Sequence, residues 1–338
     1  MGVEYTQVAV KNIMEVRHIQ QWFPVKGKDK DGKKLYVKAV DGVSFDVRYG
    51  ETLGIVGESG CGKSTLGRTV LRLLEPTNGE IYFEGQEITT LPKKELRSLR
   101  KDMQIMFQDP YASLNPRMTI GEIIAEPMEI QNIGDKKDRR NRTIELMKLC
   151  GLDPLYIRRY PHEFSGGQRQ RIGIARAMSL NPKLIVCDEP VSALDVSIQS
   201  QILNLLMDLQ EEFHLSLLFI SHDLSVIHHI ADRVMVLYLG KIVEFASKEE
   251  IFEHPLHPYT AALLSAVPTI EGDHENKKRQ ILEGDIPSPI HPPNGCVFHT
   301  RCPFREELCK IEIPEDREIL SGHRVACHFA EKFITVRG

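Results

Sequence analysis

The chain lacks the features that usually mark membrane-spanning, exported and nucleic-acid-binding proteins. Its 338 residues contain no apolar run near the roughly 18 residues that a membrane-spanning helix needs. Residues 1–11 are too polar for the apolar segment of a secretory signal peptide. A formal net charge of −4, without any long run of Lys or Arg, gives no reason to expect nucleic acid as a partner. We therefore expect a cytosolic chain, and if it works at a membrane, other chains must supply the spans.

Internal repeats are also absent, and the composition is otherwise ordinary for a folded protein. The apolar share of 41% supports a sizeable core, and the length suits two domains or one large α/β domain with an appendage. Beyond residue 254 the sequence changes to a charged linker at 271–279 and a Pro-rich segment at 287–293. We place a domain boundary there, between residues 1–254 and residues 255–338.

One segment has the spacing of a phosphate-binding loop. Residues 57–65 follow an apolar strand at 52–56 and complete the pattern G-x-x-x-x-G-K-[ST]. The glycines let backbone N–H groups curl round a phosphate, Lys63 reaches the β- and γ-phosphates, and the helix predicted at 63–74 points its positive end at the anion. A structural Gly-rich turn is the alternative, but the strand and helix context favours a nucleoside triphosphate. The residues expected to contact it are Gly57, Glu58, Ser59, Gly60, Cys61, Gly62, Lys63, Ser64 (with its hydroxyl on Mg²⁺) and Thr65.

Two further strand ends carry side chains suited to phosphate hydrolysis. Asp188 and Glu189 follow the apolar run 184–187, which is typical of a buried parallel strand. Asp188 would hold the Mg²⁺ shell and Glu189 would polarise the attacking water, whereas a solvated acidic turn is the alternative. His222 follows the next buried strand, 215–220, where its ring can contact the γ-phosphate. A lone histidine is more often structural, so the position after this strand is what favours a functional role.

A second anion cradle, without a lysine, is predicted at residues 164–170, which read F-S-G-G-Q-R-Q and open a helix. Serine and two glycines at a helix start present backbone N–H groups to an anion. Two cradles in one chain indicate that each ATP is held by two different subunits. Asp195 can cap the next helix, whose apolar face recurs from Ile202 to Phe213.

Together these motifs resemble the ATPase subunits of ABC transporters over about residues 13–250. The matching set includes the phosphate loop, Gln108 after an apolar strand, the S-G-G-Q signature, the Asp188–Glu189 pair, the S-A-L-D segment 192–195 and His222. Phe164 stands where many members have Leu, a change that we expect to be neutral. The resemblance implies an α/β P-loop NTPase fold with a RecA-like core, an antiparallel β subdomain and a helical subdomain at about 110–177. A small loop-rich C-terminal domain would follow.

The resemblance also implies a role for each matching residue. Phe23 would stack on adenine, with Tyr36 across the first hairpin as the alternative. Gln108 would sense Mg²⁺ and the lytic water, and Asp195 would cross a dimer interface. The signature would close on the ATP of the opposite subunit. By role, the residues are Glu189, His222 and Gln108 for catalysis, Ser64, Gln108 and Asp188 for Mg²⁺, and Ser165, Gly166, Gly167 and Gln168 for the signature.

A narrower resemblance, to the ATPases of peptide and nickel importers, runs over about residues 13–330. It rests on the segments 107–118, 159–164 and 255–260, and the ending at 295–303 is like that of the second ATPase subunit of oligopeptide and dipeptide permeases. This implies a heterodimer with another ATPase on two membrane subunits, at the cytoplasmic face of the membrane, served by an extracytoplasmic peptide-binding protein. Nickel, glutathione or another small solute is the alternative cargo. A soluble ABC ATPase of DNA repair or translation is the alternative function.

Four of the seven cysteines lie in the last 43 residues, a loop-rich tail with little apolar material. Such a tail would gain from a covalent or metal staple, and disulfides are rare in the cytosol. Gaps of five, six and seventeen residues lack the C-x-x-C pairs common in zinc sites. Four thiolates beside a proline suit an iron–sulfur cluster. The resemblance to this permease group also implies a [4Fe–4S] cluster at this place. Zinc or free thiols are the alternatives. The expected ligands are Cys296, Cys302, Cys309 and Cys327, and the expected cofactors are ATP, Mg²⁺ and this cluster.

Overall fold

The computed structural model describes residues 11–28, 32–266, 282 and 284–334. The start of the chain, the middle of the first predicted turn and the predicted linker 271–279 lie outside the described residues. Among the helices that are described, none is both long enough and apolar enough to cross a bilayer.

Strands and helices alternate through most of the described chain. The strands are β1 (Asn12–Lys28), β2 (Lys34–Arg48), β3 (Thr52–Val56), β4 (Asn78–Phe83), β5 (Gln86–Glu87), β6 (Met103–Met106), β7 (Leu184–Asp188), β8 (Ser216–Ile220), β9 (Arg233–Tyr238), β10 (Lys241–Ser247), β11 (Arg317–Leu320) and β12 (His323–Val325). The α-helices are α1 (Lys63–Val70), α2 (Lys93–Leu99), α3 (Pro110–Ser113), α4 (Ile120–Ile130), α5 (Lys136–Leu149), α6 (Gly166–Ala177), α7 (Val196–Phe213), α8 (Leu224–Ile230), α9 (Lys248–Glu253), α10 (Pro258–Ser265) and α11 (Glu307–Ile311). Short 3₁₀ helices lie at Pro154–Arg158, Pro161–Glu163, Met178–Leu180 and Ala330–Phe333.

The first sheet is antiparallel and has the order β2-β1-β4-β5. Its long hairpin β1–β2 was predicted from the sequence, although both strands extend further than the alternating pattern indicated. Phe23 of β1 lies opposite Val37 of β2, a register that brings both residues toward the phosphate loop.

The second sheet has eight strands in the order β11-β12-β10-β9-β3-β8-β7-β6. Its centre, from β6 through β9, is parallel, and every residue of β3, β7 and β8 is buried, as their continuous apolar runs predicted. Helix α1 contacts β7 and β8, and α8 contacts β3. Because parallel strands end at the same edge of a sheet, the loops after β3, β7 and β8 meet there.

Residues 110–177, the segment for which a helical subdomain was predicted, contain helices and turns without strands. Helix α4 begins with a capping box in which Thr119 accepts from the Glu122 N–H and Glu122 accepts from the Thr119 N–H. Its buried face contacts α5 and α6. This arrangement sets the start of α6 beside the start of α7.

Helix α1 ends at Val70, four residues before the end that the sequence predicted. The backbone of Arg72 is left-handed (φ 50), which stops the helical hydrogen-bond pattern. Its buried guanidinium donates to the Ile88 and Leu91 carbonyls at 2.7 and 2.8 Å and pairs with Glu75. The two carbonyls belong to residues 16 and 19 positions away, so the local pattern did not predict the early end.

The last strands of the chain extend the core sheet across the predicted boundary at residue 254. Strand β12 pairs with β10, with Glu244 opposite Val325. The same Glu244 is fully buried and accepts a hydrogen bond from His323 at 2.8 Å. Backbone hydrogen bonds and a buried polar contact therefore join residues on the two sides of that boundary.

Candidate functional site

The phosphate loop lies between β3 and α1, at the edge where the parallel strands end. Three of its glycines have positive φ, and at two of them, Gly57 (φ 153) and Gly62 (φ 107), the backbone nearby also leaves no room for a Cβ. A Cβ on Gly57 would lie 2.3 Å from the Leu237 carbonyl oxygen, and one on Gly62 would lie 2.0 Å from the Ala39 carbonyl oxygen. Any side chain at either position would have to displace backbone. Cys61 is buried between them, and burial raises the pKa of its thiol.

Lys63 is the first residue of α1 and is almost fully buried. Its ammonium donates to the Gly57 carbonyl at 2.8 Å and to the Glu58 carbonyl at 3.2 Å. The side chain therefore curls back over the loop, and Lys63 is one of the residues lining the cavity beside it. This is the geometry that lets a lysine exchange loop carbonyls for phosphate oxygens.

Ser64 and Asp188 meet at the base of the loop. The Ser64 hydroxyl donates to Asp188 Oδ1 at 2.6 Å, and Arg68 lies 3.4 Å from Asp188 Oδ2. Asp188 is 1% exposed, so its carboxylate is held in place by β7 and these two partners. A hydroxyl and a carboxylate side by side are oxygen donors of the kind that Mg²⁺ prefers, and the residues fit that ion.

Of the three residues predicted to be catalytic, Gln108 and His222 both lie against one carboxylate oxygen of the third, Glu189. Gln108 Nε2 donates to Glu189 Oε2 at 2.8 Å, and His222 Nδ1 lies 3.3 Å from the same oxygen. The Glu189 side chain is 11% exposed and that of His222 is 51% exposed. A carboxylate that is mostly buried yet faces an open histidine and amide is suited to binding a water molecule.

Glu189 also has an unusual backbone, with φ 48 in the left-handed region. For a residue other than glycine this conformation costs about 1–3 kcal/mol, and such costs concentrate at functional sites. Its N–H donates to the Ile220 carbonyl of β8 at 3.0 Å, which holds the turn. No sequence pattern indicated this conformation.

A cavity of about 450 Å³ lies against the phosphate loop. Phe23 lines one side of it, whereas Tyr36 is not among the described residues of its wall, and the Tyr36 ring lies 6.2 Å from that of Trp22. Of the two aromatic candidates, Phe23 is therefore the one placed at the cavity. The lining residues are Phe23, Val37, Ala39, Ser59, Gly60, Gly62, Lys63, Ser64, Thr65, Gln108, Glu189 and Pro289.

The signature segment forms the N-terminus of α6, apart from this cavity. Ser165 caps the helix, accepting from the Gln168 N–H at 3.3 Å, while Gln168 accepts from the Ser165 N–H at 3.0 Å. A Cβ on Gly167 would lie 2.4 Å from Ile198 of α7, so the two helix starts are in close contact. Within the described part of the chain, none of the four signature residues lines the cavity beside the phosphate loop, which we call the nucleotide cavity. The two cradles of one chain are thus separate surfaces.

Asp195 caps α7 next to the signature. Its carboxylate accepts from the Ile198 N–H at 3.0 Å and from the Ser197 hydroxyl at 2.8 Å. Both hydrogen bonds lower the pKa of the Asp195 carboxyl, and the one from the Ile198 N–H has the larger effect. The residue is exposed, which leaves it accessible to a partner chain.

The four cysteines of the tail surround one small void of about 20 Å³, together with His257, His299 and His328. Burial raises the pKa of Cys296 to about 12 and that of Cys327 to about 11, and it also raises the pKa of Cys302. The four thiols are free. In the part of the chain that the structure describes, no group of three or more His, Cys, Asp or Glu side chains is arranged to hold a metal ion. The structure therefore gives no support to the predicted [4Fe–4S] cluster.

Among the described residues beyond position 254, three touch the phosphate loop or its cavity, and none of them was predicted from the sequence. The Tyr259 hydroxyl accepts from the Glu58 N–H at 2.9 Å. Arg301 forms a two-point ion pair with the Glu58 carboxylate, at 2.6 and 3.1 Å. Pro289 lines the nucleotide cavity and accepts from the Lys38 N–H at 3.2 Å. Tyr259 and Arg301 lie in the segments 255–260 and 295–303 that carry the narrower resemblance, but nothing in these segments indicated a contact with the phosphate loop.

Comparison with known proteins gives matches along most of the chain. Residues 40–192 match the ABC transporter family, and residues 243–309 match the oligopeptide/dipeptide transporter C-terminal region. The chain is 57% identical over 320 residues to the oligopeptide transport ATP-binding protein AppF of Bacillus subtilis (strain 168), covering 94% of this chain and 97% of that one. It is 52% identical to the di/tripeptide transport ATP-binding protein DppF of Pseudomonas aeruginosa (strain UCBPP-PA14), covering 88% and 92% of the two chains.

The chain belongs to the ABC transporter ATPases.

Solved structures of such cassettes have the same fold. A dimeric post-hydrolysis state of the ATP-binding cassette MJ0796 bound to ADP and Pi is similar with a TM-score of 0.62 at 29% identity, over 70% of this chain and 98% of that one. The protein cbiO1 from Clostridium perfringens, part of the ABC transporter complex cbiONQ, is similar with a TM-score of 0.62 at 26% identity, over 73% and 93%. The predicted fold class is confirmed.

Membership of this ABC family confirms that the chain is an ATPase whose hydrolysis of ATP is coupled to transport. ATP with Mg²⁺ is its expected nucleotide, and membrane permease subunits are its expected partners. An ATPase subunit of this kind is membrane-associated.

Proposed function

We propose that this chain binds and hydrolyses MgATP to power the import of oligopeptides or dipeptides. The observation that carries the proposal is the convergence of Gln108 and His222 on Glu189, beside a complete phosphate loop. The names of the relatives AppF and DppF refer to oligopeptide and di/tripeptide transport, which favours a peptide cargo over nickel or another small solute.

Several of the predicted residues lie at or beside the cavity, where their positions support a role in nucleotide binding. Phe23 stacks on the adenine, since it lines the cavity beside the loop. Lys63 and the loop N–H groups hold the β- and γ-phosphates. Ser64, Asp188 and Gln108 provide the oxygen ligands of Mg²⁺, which neutralises phosphate charge when it is bound.

Hydrolysis in this proposal depends on Glu189. Its carboxylate accepts a hydrogen bond from the attacking water and orients it toward the γ-phosphate. Gln108 and His222 fix that carboxylate from two sides, at 2.8 and 3.3 Å. The left-handed backbone of Glu189 sets the direction of the side chain in advance.

The second anion cradle serves a partner ATPase subunit. The signature Ser165–Gln168 and the exposed Asp195 lie together but away from the chain's own cavity, so they are free to complete a site on another chain. We infer a heterodimer of two ATPases on two membrane subunits at the cytoplasmic face of the membrane. An extracytoplasmic peptide-binding protein would deliver the cargo, and nucleic acid has no part.

The variant Glu189→Gln tests this function in the reconstituted transporter. ATP binding should stay within about twofold of wild type, because Lys63 and Asp188 keep their charges. Hydrolysis should fall by about 10²–10⁴-fold, the usual contribution of general base catalysis.

The shared site is tested with the wild-type chain, which should hydrolyse ATP slowly alone and faster once the second ATPase and the membrane subunits are added.

The matched control is Glu212→Gln, which makes the same change at an exposed position of α7 and should leave both measurements unchanged. Hydrolysis by Glu189→Gln within threefold of wild type would refute the role of Glu189. Full activity of the isolated monomer at high dilution would refute the shared site.

We further propose that the four tail thiols bind a [4Fe–4S] cluster and that residues 255–338 form a C-terminal domain around it. The basis of this proposal is the resemblance of the tail to that of the peptide-permease ATPases, and the four cysteines Cys296, Cys302, Cys309 and Cys327 line one void. The raised pKa values of Cys296, Cys302 and Cys327 mean that a metal would have to displace their thiol protons. Protein purified without oxygen should be brown and contain about four irons per chain. Zinc, or no metal at all, in such a preparation would reject the cluster and leave the ATPase proposal intact.

A further inference from the structure

Glu58, the first variable residue of the phosphate loop, is held by contacts to all of its polar groups. Its carbonyl accepts from Lys63 at 3.2 Å, and its N–H donates to the Tyr259 hydroxyl at 2.9 Å. Its carboxylate forms the two-point ion pair with Arg301. Glu58, one of the two loop residues whose carbonyls contact Lys63, is thus also the residue that the tail holds.

Both tail contacts are built into a packed interior. Tyr259 is fully buried, and the Arg301 side chain is 7% exposed. The Tyr259 ring lies 4.8 Å from that of Tyr238, at the end of β9, and 5.4 Å from that of Phe298. The hydrogen bond to Glu58 raises the pKa of the Arg301 guanidinium. Rings from the core and from the cysteine-containing segment therefore pack against Tyr259, and the Arg301 guanidinium lies 5.9 Å from the centre of the Tyr238 ring.

The charge of Glu58 gives this contact a consequence for nucleotide binding. A carboxylate in the phosphate loop repels the phosphates of ATP, and the repulsion is strong where water is partly excluded. Arg301 neutralises that carboxylate and turns it toward the tail. Because the Glu58 N–H donates to the Tyr259 hydroxyl, the loop is also fixed at its second residue, which leaves the later N–H groups to face the anion.

We propose that Arg301 and Tyr259 are positioning residues of the nucleotide site, which hold Glu58 and keep its charge from opposing ATP. The inference rests on the proposed nucleotide site, and it assigns to the segment beyond residue 254 a direct part in ATP affinity. Pro289, which lines the same cavity and bonds to Lys38, is a second point at which this segment reaches the site.

The test measures the Kd of MgATP for the full chain and KM and kcat for the assembled transporter. Arg301→Ala should raise the Kd and KM by about tenfold, the effect of losing one charge-assisted hydrogen bond, while kcat at saturating ATP stays within about threefold. The double variant Glu58→Gln with Arg301→Ala should recover to within about threefold of wild type, because the unpaired charge is gone. A purely structural role for Arg301 would give no such recovery.

Arg317→Ala is the matched control, since Arg317 forms a similar two-point pair with Glu331 inside the tail, at 2.6 and 2.9 Å. It should leave the Kd within twofold of wild type. Tyr259→Phe removes only the acceptor of the Glu58 N–H and keeps the ring, so it tests the proposal should Arg301→Ala not fold. It should raise the Kd by about threefold, in line with one neutral hydrogen bond.

Two results would overturn the inference. One is an unchanged Kd for both Arg301→Ala and Tyr259→Phe, and the other is an equal loss of affinity in Arg317→Ala. Lys63→Ala separates this failure from a failure of the proposed function. If Lys63→Ala no longer binds MgATP while the Kd of the tail variants equals that of wild type, only the positioning role is wrong. A wild-type Kd for Lys63→Ala would instead reject the nucleotide site itself.

Discussion

At the scale of single residues, the site depends on backbone conformations that side-chain identity does not reveal. The sequence predicted Glu189 as the group that activates water, because it follows Asp188 at a buried strand end. Its left-handed backbone, with φ 48, became visible only in the structure. That conformation turns the carboxylate toward Gln108 and His222, and the Ile220 carbonyl holds it there. The free-energy cost of this backbone conformation is therefore linked to the orientation of the Glu189 carboxylate.

The same scale explains the choice between the two aromatic candidates. Phe23 and Tyr36 lie one residue out of step across the β1–β2 pairing, since Phe23 faces Val37 and Tyr36 faces Pro24. Successive side chains of a strand point to opposite faces, so a difference of one residue decides which ring reaches the cavity. The register of a hairpin with several irregularities was not predictable from its sequence.

At the scale of elements, the contact between α6 and α7 makes a prediction about the signature. A Cβ on Gly167 would lie 2.4 Å from Ile198, a branched side chain with little freedom to move. Gly167→Ala should therefore push the signature helix away from α7, at a cost of about 1–3 kcal/mol in stability. ATP hydrolysis by the assembled transporter should fall by tenfold to about a hundredfold, as misplaced catalytic groups typically cause. Chemical denaturation and steady-state hydrolysis measure the two effects.

The same helix offers a matched control in Gly173, where an added Cβ meets no atom within 4 Å. Gly173→Ala should keep full hydrolysis and add about 0.5–1 kcal/mol of stability, because alanine favours the helix. Equal hydrolysis by the two variants would show that the close contact at Gly167 does not position the signature.

The elements themselves were predictable to different degrees, for physical reasons. Buried parallel strands such as β7 and β8 read as apolar runs, and helix starts such as that of α7 carry their own capping residue, Asp195. The motifs then indicated which strand ends meet. The end of α1 and the attachment of Glu58 were not predictable, because Arg72 and Arg301 act through partners distant in sequence. Local patterns describe local contacts, and these contacts are not local.

At the scale of the whole molecule, the described tail is attached to the ATPase core by a buried polar network. Glu244 of β10 is fully buried and accepts from the Leu256 N–H at 2.5 Å, the His257 N–H at 3.1 Å and His323 at 2.8 Å. Its carboxylate thereby joins the chain on both sides of residue 254. A buried charge left without its partners costs several kcal/mol, so separating the tail from the core is unfavourable. We expect the core and the tail to unfold together.

This attachment makes stability depend on pH through His257. Burial lowers the pKa of His257 to about 3, and its Nδ1 caps α10 by accepting from the Tyr259 N–H at 3.1 Å. Above the ordinary pKa of about 6.5 both the folded and the unfolded chain hold this histidine neutral, so nothing is lost. As the pH falls below 6.5 the unfolded chain takes up a proton that the folded chain does not bind, and stability decreases by up to about 1.4 kcal/mol per pH unit from this group.

In His257→Asn, which keeps a capping oxygen without a titrating ring, the slope of the unfolding free energy between pH 6 and pH 4 should be smaller by about that amount. Urea titrations across this range measure the slope, and His291→Asn, at an exposed histidine of the same segment, should match wild type. Identical slopes for wild type and His257→Asn would mean that His257 is not held neutral in the folded chain.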